Sequence, residues 1–280
     1  MDMDGRTYKD RVLSVARQIH LPSQVICQTG EMMERLPANV MEPSVCGLTD
    51  RVRWRESYAQ LKTLLEPYKD KDGIGMLACM LWAASWSWER YKAAGIPESV
   101  FIDTMKCFTR FVHEHKASYG YFGFDRDFWT GRQLSLNLFR IGTLEYETIE
   151  EQGQREISIH IPSDAKLTRE NCQSSVKLAE QFFAKYDPEF AGVPYICESW
   201  LLSPALKKLL PADAHIIRFQ EMFSIHHVNW EDTSFMGWVY KCPDMPLEEL
   251  PEHTSLQRHM KAYLLEGGCV GEAAGRLKNF

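Results

Sequence analysis

Apolar residues recur at helical spacing through the first part of the chain. Between residues 7 and 20, Val12, Leu13, Val15, Ala16 and Ile19 gather on one side and Pro22 follows, which predicts a helix that stops there. Residues 21–54 carry Pro22, Pro37 and Pro43 and predict short helices joined by loops. From Trp54 to Tyr68, Tyr58, Leu61, Leu64 and Leu65 share a face, so a helix is expected to end near Pro67. Gly73 to Lys92 is apolar on nearly every side and predicts a buried helix, with Trp82, Trp86 and Trp88 as core residues. Gly95-Ile96-Pro97 breaks the pattern, and Val100, Met105, Phe108, Phe111 and Val112 mark one more helix to His115.

The periodicity changes after Tyr119. YGYFGFDRDFWT is aromatic and glycine-rich and predicts a loop or packing corner. Phe139 to Ile149 reads as a strand, and Glu156 to Pro162 as a cleaner one, with Ile157, Ile159 and Ile161 alternating with Ser158 and His160. A loop from Ser163 to Leu167 leads to Thr168, an N-cap for a helix from Arg169 to about Lys185. Strand 193–199, helix 204–210, strands 216–223 and 235–241 and helix 255–265 complete the expectation. The fold class is therefore α+β: an all-helical N-terminal domain, residues 1–130, then a mixed β-sheet domain with flanking helices, residues 131–280.

The formal charge is −6, from 32 basic and 38 acidic residues. That argues against nucleic acid or an anionic membrane as a partner, while leaving room for a small anion site. The longest uncharged apolar run, Gly73 to Trp88, falls short of the roughly 20 residues that span a bilayer. The charged start MDMDGRTYKD lacks the apolar core of a secretory signal. Eight scattered cysteines without a CxxC pair fit reduced thiols, so a cytoplasmic location is expected. The pairs His113/His115 and His226/His227 have spacings that turn the two rings away from each other on a helix and on a strand, so no metal site is expected.

The runs LFRIGTLEYE (138–147), IHIP (159–162), ESWLLSP (198–204), IIRFQEMF (216–223) and TSLQR (254–258), with Gly267-Gly268, resemble the bacterial GNAT-like acyltransferase-domain proteins. The resemblance runs over nearly the whole chain and is sharpest from 134 to 280. It implies a helical N-terminal domain followed by a GNAT-like acyltransferase domain. It also implies transfer of an acyl group from acetyl-CoA or another acyl-CoA to a small-molecule or peptide amine by direct attack.

On that resemblance, strand 157–161 pairs with the pantetheine through Ile159 and Ile161. Ser163, Lys166, Thr168, Arg169, Asn171 and Ser174 then surround the pyrophosphate at a helix N-terminus. His160 becomes the candidate general base, while Glu198 and Ser199 orient the substrate or protonate the departing thiolate. A phosphate loop of this family usually carries glycines, whereas SDAKLTREN has none. The alternative is therefore a non-catalytic module with a degenerate GNAT fold that binds CoA or another ligand. Cys197 and Tyr195 are lesser candidates. A Cys197 or Ser199 nucleophile would imply a hydrolase, but no G-x-S-x-G elbow is present.

Overall fold

A computed structural model describes residues 7–241 and 245–278. The start of the N-terminal run and Cys242, both used above, lie outside the described residues. The chain divides into two compact units, Met1–Ile141 and Gly142–Phe280.

The first unit holds α1 (Tyr8–Gln18), α2 (Ser23–Arg35), α3 (Ala38–Gly47), α4 (Trp54–Leu65), α5 (Ile74–Ala93), α6 (Glu98–Tyr119), α7 (Asp127–Leu134) and the strand β1 (Leu138–Ile141). Helix α5 is its centre, and α1, α2, α3, α4, α6 and α7 all pack on it. Its residues from Ile74 to Ser85 are all buried, as a helix apolar on every side requires. The Trp82 ring lies 4.9 Å from that of Tyr8 and 5.4 Å from that of Trp86, which is core packing. Gly73 precedes the helix at φ +70°, and a Cβ there would come within 1.9 Å of the Phe124 carbonyl oxygen, so glycine is obligatory. Helix α7 begins at Asp127, inside the stretch expected to be a loop. Its buried Thr130, Gly131, Gln133 and Leu134 are mostly polar or small and gave no apolar stripe to read.

The second unit holds β2 (Leu144–Glu151), β3 (Gln154–His160), α8 (Arg169–Tyr186), β4 (Tyr195–Ser199), α9 (Leu206–Leu209), α10 (His215–Gln220), β5 (Phe223–Asn229), α11 (Ser234–Val239), α12 (Ser255–Leu265) and β6 (Glu272–Leu277). Its strands form a mixed sheet in the order β2-β3-β4-β6-β5, with β3 and β4 parallel. Helix α8 starts at the expected Thr168 cap, whose Oγ1 accepts the Asn171 N–H at 3.2 Å. It buries Cys172, Ser175, Val176, Ala179, Phe182 and Phe183. Ser175 Oγ meets the Tyr146 hydroxyl at 2.9 Å and accepts the Leu144 N–H, which ties the helix to β2.

Four expectations are corrected. The run 139–149 is two strands, because Gly142 at φ +64° turns the chain between them. The segment 216–223 is mainly helix α10. Its polar Gln220 is buried and donates to the Leu201 and Ser203 carbonyls, and a period-two reading of the apolar residues missed that arrangement. The segment 235–241 is mainly helix α11. Asp232 Oδ1 accepts the Ser234 N–H and hydroxyl at its start, and Phe235, Met236 and Tyr240 pack into a satellite core with Leu206 and Met260. Strand β6 (EAAGRL) was not expected, since its small residues lack strand character. No described helix is long and apolar enough to cross a membrane.

The buried Ser175 joint is the clearest single polar support of the second unit. Ser175→Ala leaves the Tyr146 hydroxyl and the Leu144 N–H without this partner and is expected to cost about 1–3 kcal/mol. Urea denaturation checks this, and an unchanged midpoint would show the joint to be dispensable.

Candidate active site

The sheet opens at one place. Strands β3 and β4 pair at Ile157↔Tyr195 and Ser158↔Ile196 only. Beyond that point β3 continues to His160 and β4 to Ser199, each still paired on its outer side, through Glu145↔His160 and Ser199↔Ala273. The Ile157 N–H donates toward β4, to the Pro194 carbonyl at 2.9 Å. Backbone direction alternates along a strand, so the Ile159 N–H and C=O point toward β4; the Ser158↔Ile196 pairing takes up the N–H, and the Ile159 C=O faces the gap. Buried peptide groups need partners, so this edge is suited to an extended molecule carrying amides.

Register sorts the side chains onto two faces. Tyr146, Ile157, Ile159, Tyr195 and Cys197 lie on the α8 side. Glu145, Glu147, Ser158, His160, Ile196 and Glu198 lie on the other. There His160 Nε2 lies 2.8 Å from Glu147 Oε2, the two side chains being 20% and 14% exposed. A carboxylate diagonally across the strand pair thus fixes the imidazole ring, and Glu145, directly opposite, is buried. Burial pushes the Cys197 thiol far above its ordinary range, with the nearby Glu272 and Glu198 charges adding to it. A thiolate nucleophile at that position is therefore disfavoured.

The loop and the start of α8 collect several of the expected anion ligands. Lys166 N–H donates to Thr143 Oγ1 at 2.8 Å, and Asn171 Nδ2 donates to the Lys166 carbonyl at 3.3 Å. Thr168 caps the helix, and Arg169 opens it with an exposed side chain. Ser163 is exposed in the preceding turn, and Ser174 is exposed about 7.5 Å along the helix axis from Arg169, away from the first-turn N–H groups. Ala165, Lys166 and Asn171 already spend their N–H groups inside the loop and cap. The donors left at this terminus are those of the first helical turn, together with the Lys166 and Arg169 side chains.

Glu198 is exposed near the end of β4 on the His160 face. Ser199 points its parity to the other face, and its Oγ accepts the Leu201 N–H at 3.1 Å, capping a short turn. The sequence reading missed Glu272. It stands on β6 diagonally from Glu198, whose direct partner is Ala274. Burial first, then the negative charges of Asp232 and Glu198, push its carboxyl up to about 7. Among the described residues no cluster of three or more metal-ligating side chains exists. A groove of ≈ 1080 Å³ lies over Gly192–Tyr195 and Arg276–Lys278, at the opposite end of β4 from Glu198, and includes none of the expected catalytic residues.

The N-acyltransferase N-terminal domain model matches residues 11–136, and the GNAT-like C-terminal domain model matches residues 138–277. The chain belongs to this acyltransferase-domain family. No curated protein sequence matches it. Among solved structures, an acyltransferase in complex with decanoyl-CoA and teicoplanin superimposes with a TM-score of 0.81 at 22% identity, covering 96% of this chain and 88% of that one. An acyltransferase mutant in complex with octanoyl-CoA matches equally well, with TM-score 0.81, 22% identity and the same 96% and 88% coverage. An acyltransferase in complex with CoA and 10C-teicoplanin gives a TM-score of 0.80 at 22% identity, over 95% and 86% of the two chains. These likenesses establish that this GNAT-like family member shares the complete fold of those enzymes.

The raised Glu272 carboxyl has a consequence for stability. Between its ordinary value and about 7 the folded chain holds a proton that the unfolded chain has released, so this group lowers stability as pH rises through that window. Glu272→Gln is expected to raise Tm relative to wild type at pH 8 and to leave it nearly unchanged at pH 4.5. Thermal melts across that range test it, and parallel curves would contradict the assignment.

Proposed function

We propose that this GNAT-like chain is an acyl-CoA-dependent N-acyltransferase acting on a small-molecule or peptide amine by direct attack. The parting of β3 and β4 carries this reading. It leaves the Ile159 carbonyl facing a gap next to His160, with Ile161 just beyond the strand, and an amide N–H of a pantetheine arm can pair with such an edge. The acyl-CoA is a substrate, and the residues present suit it. The strand edge takes the arm, and the first turn of α8 with Lys166 and Arg169 takes the pyrophosphate. Ser163, Thr168, Asn171 and Ser174 remain candidate contacts around it.

The solved acyltransferases of this fold hold decanoyl-CoA, octanoyl-CoA or CoA, which supports an acyl thioester as donor. One of them also holds teicoplanin, which supports an amine-bearing glycopeptide-like molecule among the acceptors to be screened. His160, oriented by Glu147, is placed to move a proton at the reacting nitrogen. Glu198 shares its face across the gap. Ser199 is engaged as a cap, and its part is to hold the end of β4. We assign the protein to the cytoplasm, where its cysteines stay reduced.

The glycine-free loop, which departs from the family's usual phosphate loop, motivates a second reading, a CoA-binding module without turnover. Calorimetric titration with CoA and a thiol-release assay with acetyl-, octanoyl- and decanoyl-CoA separate the two. The transferase binds CoA with an affinity that falls with salt and releases thiol when an amine is added. His160→Ala should slow that release by about 10²–10³-fold with CoA affinity intact. Binding without release would establish the module, and no binding at millimolar CoA would overturn both.

A further inference from the structure

Direct attack by an amine requires two deprotonations. The acceptor arrives as R–NH₃⁺ and must lose one proton before its lone pair can attack. The adduct nitrogen must lose a second as the thioester breaks. The His160–Glu147 pair on the β2–β3 side of the gap accounts for one proton carrier. A second stands on the opposite side. Glu272 on β6 and Glu198 on β4 are diagonal neighbours on the same face as His160, at the end of β4 where β3 has parted from it.

Resting on the transferase reading, we propose that Glu272, positioned beside Glu198, binds the acceptor as an ammonium and takes its first proton. The surroundings suit that task. Asn229 is opposite Glu272 on β5, and His227 is opposite Ala274, the next residue on the same face. Asp232 lies in the turn after β5, close enough to add to the negative charge felt by Glu272. Arg276 shares the face, one further step along β6, opposite Ile196. Strand β5 carries an irregularity between Ile225 and His227, next to this face.

The carboxyl titrates near neutral pH, from burial and from Asp232 and Glu198, so its base form coexists with a protonated amine. An ammonium relieves the like-charge crowding of three carboxylates, which gives the site a preference for a cation over a neutral alcohol.

The step balances. Glu272 carboxylate takes one proton and leaves R–NH₂. The nitrogen lone pair forms the C–N bond to the thioester carbonyl carbon. The C–S bond then breaks, and the second nitrogen proton passes by way of His160 to the departing sulfur. The products are an amide, free CoA thiol and a protonated Glu272, which returns its proton to water.

The test uses the full chain with octanoyl-CoA as donor, hexylamine as acceptor and hexanol as the neutral isostere. Glu272→Gln should lower kcat/KM for hexylamine about 100-fold at pH 7 and remove the acidic limb of its pH profile, with octanoyl-CoA KM unchanged. Glu198→Gln should move that limb to lower pH. Circular dichroism and melting curves confirm that each variant folds. An unchanged profile and hexylamine KM in Glu272→Gln would overturn the proposal while the transferase reading stands.

Should wild type release no thiol with any amine, the transferase reading falls, and NMR titration with hexylammonium decides the pair on its own. Binding of hexylammonium over hexanol that weakens at least tenfold in Glu272→Gln supports it. Equal or absent binding overturns it.

Discussion

The interruption of pairing between two parallel strands is the constraint on which the rest of the second unit depends. Strands β3 and β4 share two residue pairs and then separate, although each remains paired on its outer side. An intact sheet would satisfy the Ile159 carbonyl internally, as it does the N–H. Here that edge faces a gap, and unpaired peptide groups inside a fold are costly unless something fills them. A fold keeps such a defect when the missing strand is supplied by a ligand. The supports lie around it: the Ser175 joint fixes β2 against α8, the Gly142 turn begins β2, and the Thr168 cap places the start of α8 after β3. With both neighbours of the gap held from outside, the gap stays open.

Charge is arranged to suit that opening. The chain is acidic overall, and a sheet face carrying Glu145, Glu147, Glu198 and Glu272 would repel an anionic donor if the donor lay along it. The cations belong instead to the loop after β3 and the start of α8, a helix that packs on the opposite face of the sheet, where Lys166 and Arg169 flank its first turn. The two faces therefore suit different partners. In the proposed reading phosphate goes to the helix terminus and a cationic amine to the carboxylates, so the reactants would meet at the gap from the two faces. Glu147 lies against the His160 ring, whereas Glu272 faces other carboxylates, which together with burial hold its proton more tightly.

Much of this was legible in the sequence where one physical signal dominated. Helix α5 announced itself because apolar residues surround it, and α8 because Thr168 caps it ahead of an apolar face. The alternation EISIHIP revealed β3 and put His160 on its polar side. What stayed hidden was set by tertiary contact. Strand β6 has small residues, Ala273, Ala274 and Gly275, at its centre and becomes a strand between β4 and β5. Glu272 therefore had no face assigned to it, and its partner Glu198 looked solitary. Helices α10 and α11 were mistaken for strands because short apolar runs fit either period. Their identity depends on buried Gln220 and on Asp232 at a helix start, which a periodicity count does not weigh.

The glycine-free loop follows the same logic of competing donors. A glycine-rich loop holds phosphate by offering bare N–H groups at close approach. In this chain Ala165, Lys166 and Asn171 have given theirs to Pro162, Thr143 and Thr168, which makes the loop rigid without a ligand. What it gains in order it loses in backbone donors, so in the proposed reading anion binding would pass to the first turn of α8 and to long basic side chains. Point charges on flexible stems are screened by salt more than enclosed N–H groups are. The loop's internal bonding thus sets how donor affinity should depend on ionic strength, and it does so independently of the catalytic face, where the acceptor's charge is handled by residues on the other side of the gap.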